Sequence, residues 1–200
     1  MVLEETGAVP GGALPVAALA DHLRLGTAFQ GDALQAGLLE SQLRAALAVI
    51  EGRTAKALLA RGFRLGLTCW RGTGAQALPV APVAAVEEVA LVDAAEARVV
   101  LEPARFRLER DVHRPRLVAV SGVLPAIPAG GRVEVAFTAG FGAAWADVPA
   151  DLRQAVLLLA AQFYETRHDA GDGVAGLPHA VQALIERWRT VRILGGGAAG

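Results

Sequence analysis

The stretch Phe137–Val156, FTAGFGAAWADVPADLRQAV, passes from strand-like alternation through two glycines into what reads as the start of a helix. Strand, glycine-rich turn and helix N-terminus, in that order, is a layout with which many proteins hold a phosphate. The details point elsewhere. A dinucleotide fingerprint needs a third glycine at position 145, which is Trp145, and no G-K-[ST] follows to make a P-loop. Asp147 and Asp151 flank the helix start, where carboxylates suit the positive end of the helix dipole and repel a phosphate. Pro149 removes one N–H donor that a phosphate would use. The stretch therefore reads as a joint: the glycines turn the last strand off a β unit, and Asp147 caps the following helix.

Beyond the joint, LRQAVLLLAAQFYETR places Leu152, Val156, Leu159 and Phe163 on one helical stripe, with Leu157 and Leu158 off it. Ala155–Ala161 are consecutively apolar, and a helix apolar all round is covered on more than one side. Leu152, Val156, Leu157, Leu158, Leu159 and Phe163 are accordingly read as a subunit interface. LPHAVQALIERWRTVRIL then forms a last helix with Val181, Leu184, Ile185 and Trp188 inward.

Before the joint, residues 63–140 carry a period of two. FRLGLTC places Phe63, Leu65, Leu67 and Cys69 on one face, which makes Cys69 a core residue. Further strands are expected at Val86–Val92, Arg98–Leu101, Arg105–Leu108, Arg116–Val120 and Arg132–Thr138, with prolines between them. Earlier still, residues 14–60 read as helical. Val16, Leu19 and Leu23 share a face of a short helix; Asp32 with Gln35 forms a capping-box pattern before the stripe Leu39, Leu43, Leu47, Ile50. Gly52 is a possible kink or end, and Gly62 a C′ residue. The expected fold is α+β: a small helical bundle (14–62 and 149–194) with an antiparallel β unit (63–148) inserted between its second and third main helices. Residues 1–13 are expected as a flexible arm, and 195–200, GGGAAG, as a flexible tail.

Composition narrows the function. Of 200 residues 54% are hydrophobic and mean hydropathy is +0.41, enough for a large core and too apolar for disorder. No uncharged apolar run reaches the roughly 18 residues of a spanning helix, and the acidic start MVLEET does not resemble a signal peptide. Net charge is −1, so binding DNA by bulk electrostatics is not expected. Lys56 is the only lysine among 19 basic residues. The single cysteine cannot form an internal disulfide.

Catalytic patterns are sparse. Ser41 and Ser121 lie outside any G-x-S-x-G. Glu165 and His168 have E-x-x-H spacing, but a di-iron bundle needs two copies; Asp169 and Asp172, among Gly171 and Gly173, match a calcium loop only loosely. A metal-dependent enzyme using Glu165, His168 and Asp169 is the alternative from a different functional class; no cofactor or catalytic residue is otherwise expected. RFRLERDVHRPR, Arg105–Arg116, holds five arginines with Glu109 and Asp111, a charged hairpin with phosphate contact as its second reading.

The order LPVAALADHLRL, IEGRTAKALL, LPVAPVAAVEEVALVD, VEVAFTAGFGAAWADVPADLRQAVLLLAAQFYETR and LPHAVQALIERWR resembles the head–tail connector, or adaptor, family of long-tailed bacteriophages, in particular its version in gene transfer agents of alphaproteobacteria. The resemblance implies a ring, commonly dodecameric, in the neck of a virion-like particle. Such a ring docks beneath the portal protein, meets a tail-side stopper or connector, and passes DNA through its lumen unread. It also implies, by position, that the C-terminal segment reaches the portal through Arg187, Trp188, Arg189, Arg192, Ile193 and Leu194. A stopper or tail-terminator ring of the same neck is the alternative within this class.

Overall fold

The computed structural model describes residues 1–26, 33–167 and 176–189. Among these residues eight strands and four α-helices follow one another. They are β1 (Val2–Glu5), α1 (Val16–His22), α2 (Ala33–Thr54), β2 (Arg61–Leu67), β3 (Ala75–Ala77), β4 (Val83–Val92), β5 (Arg98–Val100), β6 (Phe106–Glu109), β7 (Arg116–Ala119), β8 (Arg132–Ala139), α3 (Ala150–Glu165) and α4 (His179–Ile185). The expected α+β class and the order of parts hold.

Alternation in β8 puts Val133, Val135, Phe137 and Ala139 on one fully buried face. This strand is central to a five-stranded antiparallel sheet ordered β1-β2-β8-β4-β5. Facing residues Phe63 and Phe137 stack with ring centroids 5.6 Å apart. A second, three-stranded sheet ordered β3-β7-β6 brings Leu117 into the same core. The β unit is thus two small sheets sharing one core.

The helices have a core of their own. Leu39, Leu43, Leu47 and Ile50 of α2 meet Leu152, Val156 and Leu159 of α3, closed by Leu19 of α1 and Val181 and Ile185 of α4. Matching stripes of this kind account for most of a helix's stability in a protein.

Five expectations are corrected. The arm over 1–13 contains β1, paired with β2 from Val2↔Gly66 to Glu5↔Phe63; four residues are too few to show a period. The helical reading of 14–60 overruns. Helix α2 passes through Gly52 and ends at Thr54, and Ala55 takes the left-handed position at φ 55°. Gly62 is a strand residue: a Cβ there would lie 2.3 Å from Thr6 Oγ1. Cys69 is exposed, because β2 stops at Leu67 and the apparent alternation carries on past its end. Asp147 does not cap α3; its Oδ2 accepts from Ala144 N at 2.9 Å, closing the short 3₁₀ turn Trp145–Asp147, and Pro149 stands at the helix start. The Asp32 cap lies outside the described residues.

Candidate assembly interface

The joint is built by close approach of two chain segments. Gly140 has φ 137°, and a Cβ on it would sit 2.4 Å from both Cα and N of Ala60. A Cβ on Gly142 would lie 2.2 Å from Asp147 Oδ2. Backbone hydrogen bonds stitch the crossing: Ala60 N to Gly142 O at 2.8 Å, Phe141 N to Leu58 O at 3.2 Å, and Gly140 N to Pro82 O at 2.9 Å. The absence of a side chain at Gly140 and Gly142 permits their close contact with Ala60 and Asp147.

The first turn of α3 is tied to the end of the described chain. Asp151 Oδ2 accepts from Arg187 Nε and Trp188 Nε1, each at 2.7 Å, and Oδ1 accepts from Leu152 N at 3.0 Å. Burial works to raise the Asp151 pKa, but the Trp188 and Arg187 hydrogen bonds outweigh it and hold the carboxyl below its usual value. The Trp188 indole packs edge-on against Phe141 at 5.4 Å and lies 6.3 Å from the His113 ring, with the Arg187 guanidinium 4.7 Å over it.

A second tie is Arg61. It donates to both oxygens of Glu5 at 2.8 and 2.9 Å and to both oxygens of Glu51 at 2.7 and 3.0 Å, joining β1, β2 and α2. Burial alone would lower the Arg61 pKa; its two carboxylate partners reverse that and raise it. The sequence pattern held no sign of this cluster, whose members are 56 and 10 residues apart. Lys56 was also missed. It is 1% exposed, and its Nζ donates to Thr54 O at 3.3 Å; burial lowers its pKa, opposed by the charge of Asp111.

Residues assigned to a subunit interface divide in two. Leu152, Val156 and Leu159 are at most 1% exposed within the single chain, so they are core and not a surface for another copy. The helical stripe that marked them is the one facing α2. Leu157, Leu158 and Phe163 are half-buried against that core, with surface to spare. Of the expected portal contacts, Trp188 is turned inward at 8% exposure, since its indole meets Asp151 and Phe141. Arg187 and Arg189 are largely exposed, paired with Asp151 and Glu186. Arg192, Ile193 and Leu194 lie outside the described residues.

Glu165 is exposed at the end of α3, and His168, Asp169 and Asp172 lie outside the described residues. Among the described residues no group of three His, Cys, Asp or Glu could hold a metal ion. The arginine-rich segment is the β6–β7 hairpin. Asp111 accepts from His113 N and Arg114 N to close its turn, Arg116 pairs with Glu109 at 2.6 Å, and Arg110 donates to Ala84 O at 3.0 Å. Between β6 and the first half of β4 lies a cleft of about 280 Å³, walled by Val86, Val89, Leu101, Phe106, Leu108 and Leu117.

No protein-family model and no curated protein matches the chain. Solved structures do. A chain in the neck of an empty gene transfer agent particle, computed with sixfold symmetry, is 59% identical, covers 98% of this chain and 99% of its own, and superposes with a TM-score of 0.89. The neck of the native particle, computed with twelvefold symmetry, gives 57% identity, 98% and 99% coverage, and 0.84. The virion of the native gene transfer agent particle gives 59%, the same coverage, and 0.86. The chain belongs to the neck proteins of gene transfer agent particles. In this neck protein the similarity runs through bundle, joint and β unit alike, since it spans 98% of the chain. Among the described residues of the neck protein no helix is long and apolar enough to cross a membrane.

Proposed function

We propose that this neck protein is the head–tail adaptor: a homo-oligomeric ring of twelve copies that joins the portal protein to the tail-side connector and gives DNA a lumen to pass through. The observation that carries the reading is 57% identity over 98% of the chain to a neck component of a particle treated with twelvefold symmetry. The protein's role is structural rather than enzymatic. A formal charge of −1 supports passage of DNA over retention, since retention calls for an excess of Lys and Arg facing the phosphates. Leu157, Leu158 and Phe163 are the part of α3 left to meet a neighbouring copy. Arg187 and Arg189, with Arg192, Ile193 and Leu194 after them, are the segment assigned to the portal. Electron microscopy of intact particles tests the reading: density for this chain directly beneath the portal is expected. Density one ring further toward the tail would make it a stopper instead.

A further inference from the structure

We infer that the two edges of the five-stranded sheet meet between adjacent copies, β1 of one copy lying against β5 and the β4–β6 cleft of the next. This rests on the ring reading above. A closed ring of identical copies uses two different patches of one chain, each the complement of the other. The sheet has such a pair. Its register runs in transverse rows: Val2 opposite Gly66, Gly66 opposite Glu134, Glu134 opposite Ala90, and Ala90 opposite Val100. Val2 and Val100 are therefore the two ends of one row. Both are open to solvent, at 58% and 51%, and so are their neighbours Met1 and Val99, at 64% and 60%. Apolar edge strands left open in this way are prone to pair with another chain.

The next rows carry charge. Glu4 stands opposite Arg64, Arg64 opposite Ala136, and Ala136 opposite Glu88, where the row ends at the cleft. Arg107 and Arg110 line that cleft on its far side. Glu87 and Glu88 line it too, but Glu88 is paired with Arg98, and Glu87 accepts from Thr138 Oγ1 at 3.0 Å. Glu4 and Arg107 make no ion pair among the described residues. Along one edge the exposed apolar residues are followed by the unpaired acid Glu4; beside the other, across the cleft from the paired Glu88, stands the unpaired base Arg107. Four antiparallel steps separate β1 from β5. Sheet twist of roughly 20–25° per step turns β5 far from β1 in direction, so the contact is one of side chains and not a continued ladder.

The test uses full-length protein assembled in particles. Val2→Cys with Val100→Cys, in a Cys69→Ser background, is oxidised and run on a denaturing gel. A ladder of covalent multimers from the double variant and none from either single variant is expected. Glu4→Arg alone and Arg107→Glu alone are each expected to lose neck assembly while keeping the wild-type circular dichroism, and the pair together to regain it. Intact rings with no ladder, or rings indifferent to the charge changes, would overturn the interface while leaving the adaptor reading standing. Wild-type particles in which this chain forms no ring would remove both.

Discussion

The indole Nε1 of Trp188 donates to Asp151 Oδ2 at 2.7 Å, across 37 residues, so the end of the described chain is fastened to the first turn of α3. Trp188→Phe keeps a six-membered ring near Phe141 and removes the donor together with the rest of the indole. It is expected to cost at least about 1.5–3 kcal/mol in urea unfolding, the range for a hydrogen bond to a charged group, with the lost packing in addition. Arg187→Ala is expected to cost less than about 1 kcal/mol, because that side chain is 69% exposed and its ion pair is screened by water.

The same carboxylate makes stability depend on pH. The pKa of Asp151 is lowered in the folded protein against the opposing effect of burial, and that of Glu5 is lowered chiefly by its hydrogen bonds from Arg61. A lowered carboxylate pKa stabilises the fold fully above the unfolded value, about 4, and the contribution vanishes as pH falls through the folded value. Melting temperature is expected to be flat above about pH 5 and to fall below about pH 4. Asp151→Asn should flatten that fall. Glu5 should contribute less, since its side chain is 54% exposed.

Glycine replacements separate the joint from ordinary glycines. Gly140→Ala drives a methyl into the Ala60 backbone at a φ that L-residues avoid, and is expected to destabilise by more than about 3 kcal/mol or abolish folding. Gly52→Ala, in the last turn of α2 with nothing within 4 Å, is expected to stabilise by up to about 0.5–1 kcal/mol. Denaturant midpoints of the two variants test the contrast.

Helix α3 offers a second contrast. Leu159→Glu buries a charge in the core and is expected to unfold the chain. Leu158→Glu, on the half-buried side, is expected to leave circular dichroism unchanged and to stop ring assembly, read as particle mass. A Leu158→Glu chain that assembles normally would remove this face from the subunit contact.

What could be read from the residues alone depended on length and on partner distance. Helices α2 and α3 announce themselves because Leu39, Leu43, Leu47 and Ile50 repeat over several turns, as do Leu152, Val156 and Leu159. Strand β8 does so through eight alternating residues. Strands β1 and β3, with four and three residues, carry too little pattern to separate from loop. Cys69 continues the alternation of β2 although the ladder has ended, since periodicity records side-chain type and not hydrogen bonding. Periodicity also could not say whether the α3 stripe meets α2 or another copy, as both demand the same apolar residues. The Arg61 cluster and the Trp188 anchor join residues far apart in the chain, and only the tertiary fold reveals them.

The stitched crossing at Gly140–Gly142 has a kinematic consequence. The β unit leaves the bundle through the segment after α2 and returns through the segment before α3, and these two connections are hydrogen-bonded to each other. Two connections bound side by side cannot shift independently: pulling one past the other would break the Ala60–Gly142 and Phe141–Leu58 bonds together.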